Sequence, residues 1–357
     1  MSAFGESPDG SIEILDIVPA QGPGGIFAPS CEAAISLAAS EINRGRGILG
    51  REIRTTTIDG GRPPREVAAE VSALLATGMV HAITGWHTSA VRRAVARVND
   101  GRVPYVFAIS HEGLPEPPGV LMLGEHPAGH TVAAVHWLRR ELGVRRWAII
   151  GSDYIWPRET AKALRRSLSD QSDIVLERYV PLGATDFGDF FTHPDLDRAD
   201  GVVVLLVGAD VVRFNRRFAA TGRSADQVRV SPAADENVLL GGGAGANHNL
   251  YVPSRFFLDD RLPDGRHRKA RYRERYGEFA PALTSFSNAT YEAIHALRGL
   301  AEAVGSLHVP SIQRALATGV RYETPSGPRG FDGNQAVQPG YLARAEGVEF
   351  VLLDRIS

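Results

Sequence analysis

Residues 201–208 read GVVVLLVG. A short apolar run of this kind, rich in valine and closed by glycine at both ends, predicts a strand buried on both faces. RRWAIIG (145–151), DIVLERYVPL (173–182) and QVRVSPA (227–233) predict companion strands, and helices are expected between them near 157–169, 187–194 and 209–221. Buried strands separated by helices form parallel sheets covered on both sides.

The same rhythm runs through the first third of the chain. IEILDIV (12–18), REIRTTTID (51–59), VHAITG (80–85) and VPYVFA (103–108) predict strands, with GVLMLG (119–124) after them. SCEAAISLAASEIN (30–43) predicts a helix with Ser30 as N-cap, a second helix opens at Pro63–Pro64, and a third lies near 89–99. Two βαβ series in one chain predict two similar Rossmann-like α/β lobes. The remainder is more helical, over 264–279, 284–304 and 311–319, and the tail 340–354 alternates like a hairpin turning at Glu346–Gly347. Pro and Gly cluster near 125–127, 252–255 and 325–330, which predicts three crossings. Lobe one is then expected at 10–125 plus 254–326, and lobe two at 126–253 plus 327–357.

Composition excludes several classes of function. A net charge of −2 over 357 residues argues against DNA or RNA as a direct partner. Cys31 is the only cysteine, so no intrachain disulfide forms and no cysteine cluster holds zinc. On an apolar helical pattern it reads as a buried small hydrophobe. No run reaches the roughly 18 apolar residues needed to span a bilayer. The opening MSAFGESPDGSIEILDIV has neither a basic n-region nor an apolar h-region ahead of the first strand, so a cytoplasmic location is expected. The alternative is an extracytoplasmic protein whose signal peptide has been removed.

Several stretches carry a family resemblance. EINRGRGILGREI (41–53), TDFGDFF (185–191) and the helix FSNATYEAIHALRGLAEAVGS (286–306) resemble type I periplasmic-binding-protein-like receptors. GWHTSAVRRAV (85–95), HEGLPEPPGV (111–120), GSDYIWPRET (151–160) and VPLGATDF (180–187) look most like the amide-sensing regulators of aliphatic amidase operons, with urea-binding subunits of ABC transporters close behind. The likeness runs from about residue 12 to the last strands. It implies two lobes closing on a small polar ligand in the cleft between them, with no catalysis and no cofactor. In the sensors the partner is an RNA-binding antiterminator protein; in the transporter subunits it is a permease. Self-association is implied as well, although no interface is legible.

Ligands of open parallel sheets sit beyond the carboxyl ends of the strands. That rule nominates Trp86, His87, Thr88 and Ser89 after VHAITG, where a helix start offers N–H donors to a carbonyl or carboxylate. It also nominates Phe107, Ile109, Ser110 and His111 after VPYVFA; the resemblance places a threonine where Ile109 stands, so a hydroxyl is missing there. From lobe two come Tyr154 and Trp156, aromatic in the sensors as well, with the tryptophan in place of a usual tyrosine. A ring at this turn stacks on a planar amide or urea group. Gly208 and Asp210 close the next strand, and Asp235 and Glu236 after SPAA can meet an ammonium group. Each has a plainer explanation: Thr88, Ser89, Asp210 and Asp235 suit helix caps, a lone histidine is usually structural, and one of the two rings is expected to pack beneath its turn.

Other signals carry less. GGGAGANHN (241–249) lacks the Lys-Ser/Thr of a phosphate loop and precedes a strand, so a flexible connection is expected. RHRKARYRERY (266–276) reads as a solvated helix face that packs its tyrosines inward. The glycosylation pattern NAT at 288–290 falls inside a helix. No metal-ligand spacing and no nucleophile–base pair stands out, so an enzyme acting on amides is the weakest of three readings. The leading expectation is a non-catalytic cytoplasmic sensor of an amide-, urea- or amino-acid-like molecule. The alternative is the substrate-binding subunit of an ABC transporter.

Overall fold

The computed structural model describes residues 10–168, 173–259 and 261–357. The chain divides into two units, and the described residues of lobe one are 10–21, 27–124 and 266–338. Lobe one opens with β1 (Ile12–Val18), α1 (Ala28–Arg44), β2 (Ile53–Asp59), α2 (Pro64–Ala76), β3 (Val80–Gly85), α3 (Ser89–Asn99), β4 (Tyr105–Phe107) and β5 (Val120–Met122). Lobe two follows with α4 (Thr131–Leu142), β6 (Trp147–Ser152), α5 (Ile155–Ser167), β7 (Ile174–Val180), β8 (Gly201–Leu205), α6 (Ala209–Ala220), β9 (Val228–Val230), α7 (Glu236–Gly242) and β10 (Leu250–Ser254). Helix α8 (Pro263–Tyr276) leads back to lobe one, which adds α9 (Ser285–Val304), α10 (Val309–Ala317), β11 (Val320–Thr324), β12 (Gly327–Asp332) and β13 (Gln335–Val337). The hairpin β14 (Tyr341–Glu346) and β15 (Glu349–Arg355) completes lobe two.

Both lobes repeat one plan. Lobe one's sheet runs β11-β12-β13-β5-β4-β3-β1-β2 and lobe two's runs β15-β14-β10-β9-β8-β6-β7. The five βα-series strands of each are parallel, in the order second, first, third, fourth, fifth. Every residue of β3, β6 and β8 is buried, as their largely apolar sequences imply. In lobe one, Leu15, Ile17, Ile83, Tyr105 and Phe107 pack with Val67 and Val71 of α2 and with Val91 and Val95 of α3. The other face carries α1 and α9, and Cys31 is fully buried on α1 as expected.

Five local expectations are corrected. Ser30 is not the N-cap of α1: a 3-10 turn at Pro23–Phe27 runs into the helix, and the Ser30 hydroxyl donates to the Phe27 carbonyl at 3.0 Å. The segment 187–194 is a series of turns rather than a helix, with Gly188 at φ +58° and Pro194 opening a 3-10 turn. Its Phe187 and Phe190 rings pack on Phe214 of α6 at 5.2 and 5.6 Å. The second crossing falls between 265 and 266 rather than near 253. The third falls between 338 and 339, because Pro325–Ser326 is the turn of a hairpin pairing Thr324 with Gly327, and Gln335 then pairs with Met122 in lobe one's sheet. Proline and glycine mark hairpins and linkers alike, and only the pairing strand separates them. Finally, GGGAGANHN is pinned: buried Asn247 donates to the carbonyls of Leu239 at 3.0 Å and Gly347 at 2.8 Å.

Asp16, in the middle of β1, is fully buried with the Thr84 hydroxyl donating to it. Burial raises its pKa to about 7, against the smaller opposing effect of that hydrogen bond. The folded protein therefore binds more protons at Asp16 than the unfolded chain between about pH 4 and pH 7, so its stability falls as pH rises through that window. Three units correspond to about 4 kcal/mol as an upper bound. Urea denaturation of wild type and Asp16→Asn at pH 5 and pH 8 checks this: the variant should lose much less stability between the two pH values.

Candidate functional site

In a sheet of this order the connections leave toward opposite faces at one point only, between the first and third strands, and a crevice opens there beyond the carboxyl ends. In lobe one that point lies between β1 and β3, and in lobe two between β6 and β8.

After β3 the chain gives Trp86, His87, Thr88 and Ser89, but it spends three of the four on the interior of its own lobe: Trp86, His87 and Ser89 are buried, and Thr88 is partly exposed. The Trp86 ring is 2% exposed and sits edge-on to Phe27 and Phe286 at 5.4 and 4.8 Å, with Nε1 3.3 Å from Cys31 Sγ. His87 is equally buried, and burial pushes its pKa down to about 3. The imidazole is therefore neutral. Nδ1 lies 3.1 Å from the Ile17 carbonyl and must donate to it, so Nε2 accepts from the Tyr105 hydroxyl. The Phe107 ring closes this group at 5.3 Å from His87. Thr88 is the N-cap of α3, accepting from Val91 N at 3.5 Å.

Ser89 leads to a feature that sequence reasoning passed over. Its hydroxyl hydrogen-bonds Glu112, and one turn further along α3 the fully buried Arg92 places Nη2 2.6 Å from Glu112 and 2.7 Å from Glu116. Burial pushes the Glu112 carboxyl up, but Arg92, Ser89 and backbone N–H outweigh it and hold the group below the usual range. For Glu116 burial prevails and the pKa is raised. The available signal was an arginine on the apolar side of an amphipathic helix, followed by two glutamates in a proline-rich loop. Ile109 and Ser110 open that loop, both partly exposed. His111 does not face outward: Nε2 donates to Gln335 Oε1 at 2.5 Å, and Nδ1 accepts from Gly113 N at 3.0 Å.

Lobe two separates its two aromatics. Tyr154 is the partly exposed N-cap of α5, whereas Trp156, 6% exposed, packs behind it with ring centroids 6.4 Å apart. Gly208 is the N-cap of α6 at φ +54°, where a Cβ would stand 2.0 Å from the Pro23 carbonyl oxygen. Asp210 is fully buried and accepts from Gly183 N at 2.8 Å and from Arg213, tying the 181–184 turn to α6. Asp235 caps α7 through Val238 N at 3.2 Å. Beside it, burial and the Asp235 charge push Glu236 up to about 8. Of the nominated strand-end residues, Thr88, Ile109 and Ser110 in lobe one and Tyr154 and Glu236 in lobe two are partly exposed. Among the described residues there is no group of three or more His, Cys, Asp or Glu able to hold a metal ion.

A family model described as periplasmic binding protein matches residues 11–349. The chain belongs to the periplasmic binding protein family. A periplasmic binding protein is a ligand-binding receptor rather than an enzyme. Among solved structures, the chain is similar to the branched-chain amino acid transporter substrate binding protein LivJ from Streptococcus pneumoniae, in complex with isoleucine. That match has 20% identity, a TM-score of 0.82 and coverage of 96% of this chain and 100% of that one. It is similar also to an ABC transporter solute binding protein from R. palustris in complex with benzoate, at 15% identity, TM-score 0.81 and coverage of 98% and 97%. A periplasmic binding protein from Burkholderia mallei matches at 15% identity, TM-score 0.85 and coverage of 98% and 95%. At these identities the likeness is one of fold, and it bears out the two-lobe α/β architecture. Among the described residues, no helix is long and apolar enough to cross a membrane.

Gly208→Ala should be among the most damaging single-methyl changes in lobe two. It meets backbone rather than a movable side chain, and a loss of about 3 kcal/mol is expected from strain and displacement of the Pro23 turn. Thermal unfolding against Gly222→Ala, where a Cβ has open space, is the internal comparison.

Proposed function

We propose that this periplasmic binding protein is the substrate-binding subunit of an ABC transporter, working outside the cytoplasm and presenting a small polar ligand to a permease. The family match over residues 11–349 carries this reading, and structural neighbours that are transporter substrate-binding proteins support it. The cytoplasmic amide sensor, with an antiterminator protein as partner, has only the sequence resemblance behind it. Fusing a reporter to the gene in its host and fractionating the cells separates the two: recovery solely from the cytoplasm would sink the transporter reading.

The ligand we expect is a molecule the size of an amino acid, a small amide or an aromatic acid. In lobe one, the start of α3 offers N–H groups and the Ile109–Ser110 turn offers backbone groups and one hydroxyl. Ile109 adds an apolar wall at the position where the amide sensors that the chain resembles carry a threonine. In lobe two, the Tyr154 ring suits a planar group, with Trp156 packed against it, and Glu236 offers a carboxyl beyond another strand. Gly208 and Asp210 shape the lobe-two end, while Trp86, His87 and Phe107 support the lobe-one turns from within.

A thermal-shift screen of amino acids, benzoates, amides and ureas, followed by calorimetry, tests the site. Tyr154→Ala should weaken binding by about 2 kcal/mol, roughly thirtyfold. Trp156→Ala should lower the melting temperature first, because its ring is the buried one. Unchanged affinity in Tyr154→Ala would place the site elsewhere.

A further inference from the structure

Two of the stretches that carried the sequence resemblance, 85–95 and 111–120, prove to be one physical unit. The connection from β4 to β5 spans residues 108–119 and contains Pro115, Pro117 and Pro118. With so much proline it cannot build a backbone ladder, and side chains hold it instead. Glu112 and Glu116 both reach the single Nη2 of Arg92 on α3, at 2.6 and 2.7 Å. The Ser89 hydroxyl joins Glu112, and the guanidinium lies 4.9 Å from the centre of the Phe107 ring, the residue just before the loop. The Arg92 and Glu112 side chains are 0% exposed and that of Glu116 is 4% exposed.

Such a cluster is an expensive way to stabilise a fold. Removing three charges from water costs several kcal/mol each, and well-packed apolar residues of the same volume commonly do as well or better. Arg92 moreover leaves Nε and Nη1 without hydrogen-bond partners among the described residues. What the cluster supplies that apolar packing does not is direction, since charged hydrogen bonds fix angles as well as distances. The elements it fixes are the start of α3 and the loop opening at Ile109.

We propose that Arg92 is a positioning residue that locks the turns 86–89 and 109–112 of lobe one into a single ligand-facing surface. The proposal rests on the reading that these turns meet the ligand. Glu112 and Glu116 are its two anchors, and Ser89 acts chiefly by orienting Glu112.

The test uses the full chain and three variants. Arg92→Met combined with Glu112→Gln and Glu116→Gln removes the cluster without leaving a bare buried charge; Arg92→Lys and Glu116→Gln are the milder changes. Backbone amide exchange is followed in segments 86–92 and 109–117, with α9 and β8 as internal references. In the triple variant, exchange in both segments should rise about tenfold or more while the references and the melting temperature stay close to wild type. Glu116→Gln should give a smaller rise in the same two segments, and Arg92→Lys, which reaches one carboxylate, should fall between it and the triple variant. Unchanged exchange in the two segments overturns the proposal. So does a rise spread evenly over lobe one, which would make the cluster a matter of stability alone. If the triple variant does not fold, the two milder variants carry the same outcomes. Binding of isoleucine, 4-hydroxybenzoate and acetamide is measured alongside. A wild type that binds none of them counts against the ligand reading while the exchange result still decides the positioning. A bound probe whose affinity is unchanged in the triple variant overturns the proposal.

Discussion

Strands β3, β6 and β8 have no exposed residue, and that constraint organises both lobes. With both faces buried, their backbone N–H and C=O groups are satisfied by neighbouring strands, and their mostly apolar side chains need cover on both sides. Crossover connections then follow, most of them helical. Every connection leaving a carboxyl end must climb over the sheet to one face or the other. Where the order passes from the first strand to the third, those connections part.

The interiors tolerate charge on unequal terms. Asp16 is held by the Thr84 hydroxyl, and burial keeps its proton on to about pH 7. Arg92 is matched by two glutamates, and Arg268 by Glu292 at 2.5 Å with the Tyr291 ring 4.3 Å away. Arg229 is held by neutral groups: its guanidinium donates to Asn215 Oδ1 at 2.7 Å, to the Ala246 carbonyl at 2.9 Å and to the His248 carbonyl. Burial pushes its pKa down to about 10, still high enough to keep it charged at neutral pH. Carbonyl dipoles from the glycine-rich segment do the work of a counter-ion there, which is why that segment is anchored in place.

The turns beyond the strand ends show a division of labour within short sequences. In lobe one, His87 and Trp86 face inward while Ile109 and Ser110 stay partly open. In lobe two, Trp156 packs inward and Tyr154 caps α5 with its ring partly exposed. A binding surface of small area needs rigid support, because each contact must already be oriented when the ligand arrives. Buried aromatic and charged residues directly behind the open ones give that rigidity.

The sequence by itself determined the sheets, the helices that cover them and the pairing of two similar lobes. These follow from the period of apolar residues, and burial of a face is a local property of a strand or helix. It determined the depth of Cys31 and the inward packing of Tyr272 on α8 for the same reason. What it could not fix were facts that depend on a distant partner. Pro325–Ser326 became a hairpin turn because β12 and β13 found β5, and 187–194 became a set of turns because Phe214 was there to receive its rings. His87 was nominated as a contact and is instead a neutral bridge between the Ile17 carbonyl and the Tyr105 hydroxyl, groups 70 and 18 residues away. The joining of Arg92 to Glu112 and Glu116 belongs to the same class. Charge pairing acts through space, and the spacing of residues along a chain carries no record of which charges the fold will bring together.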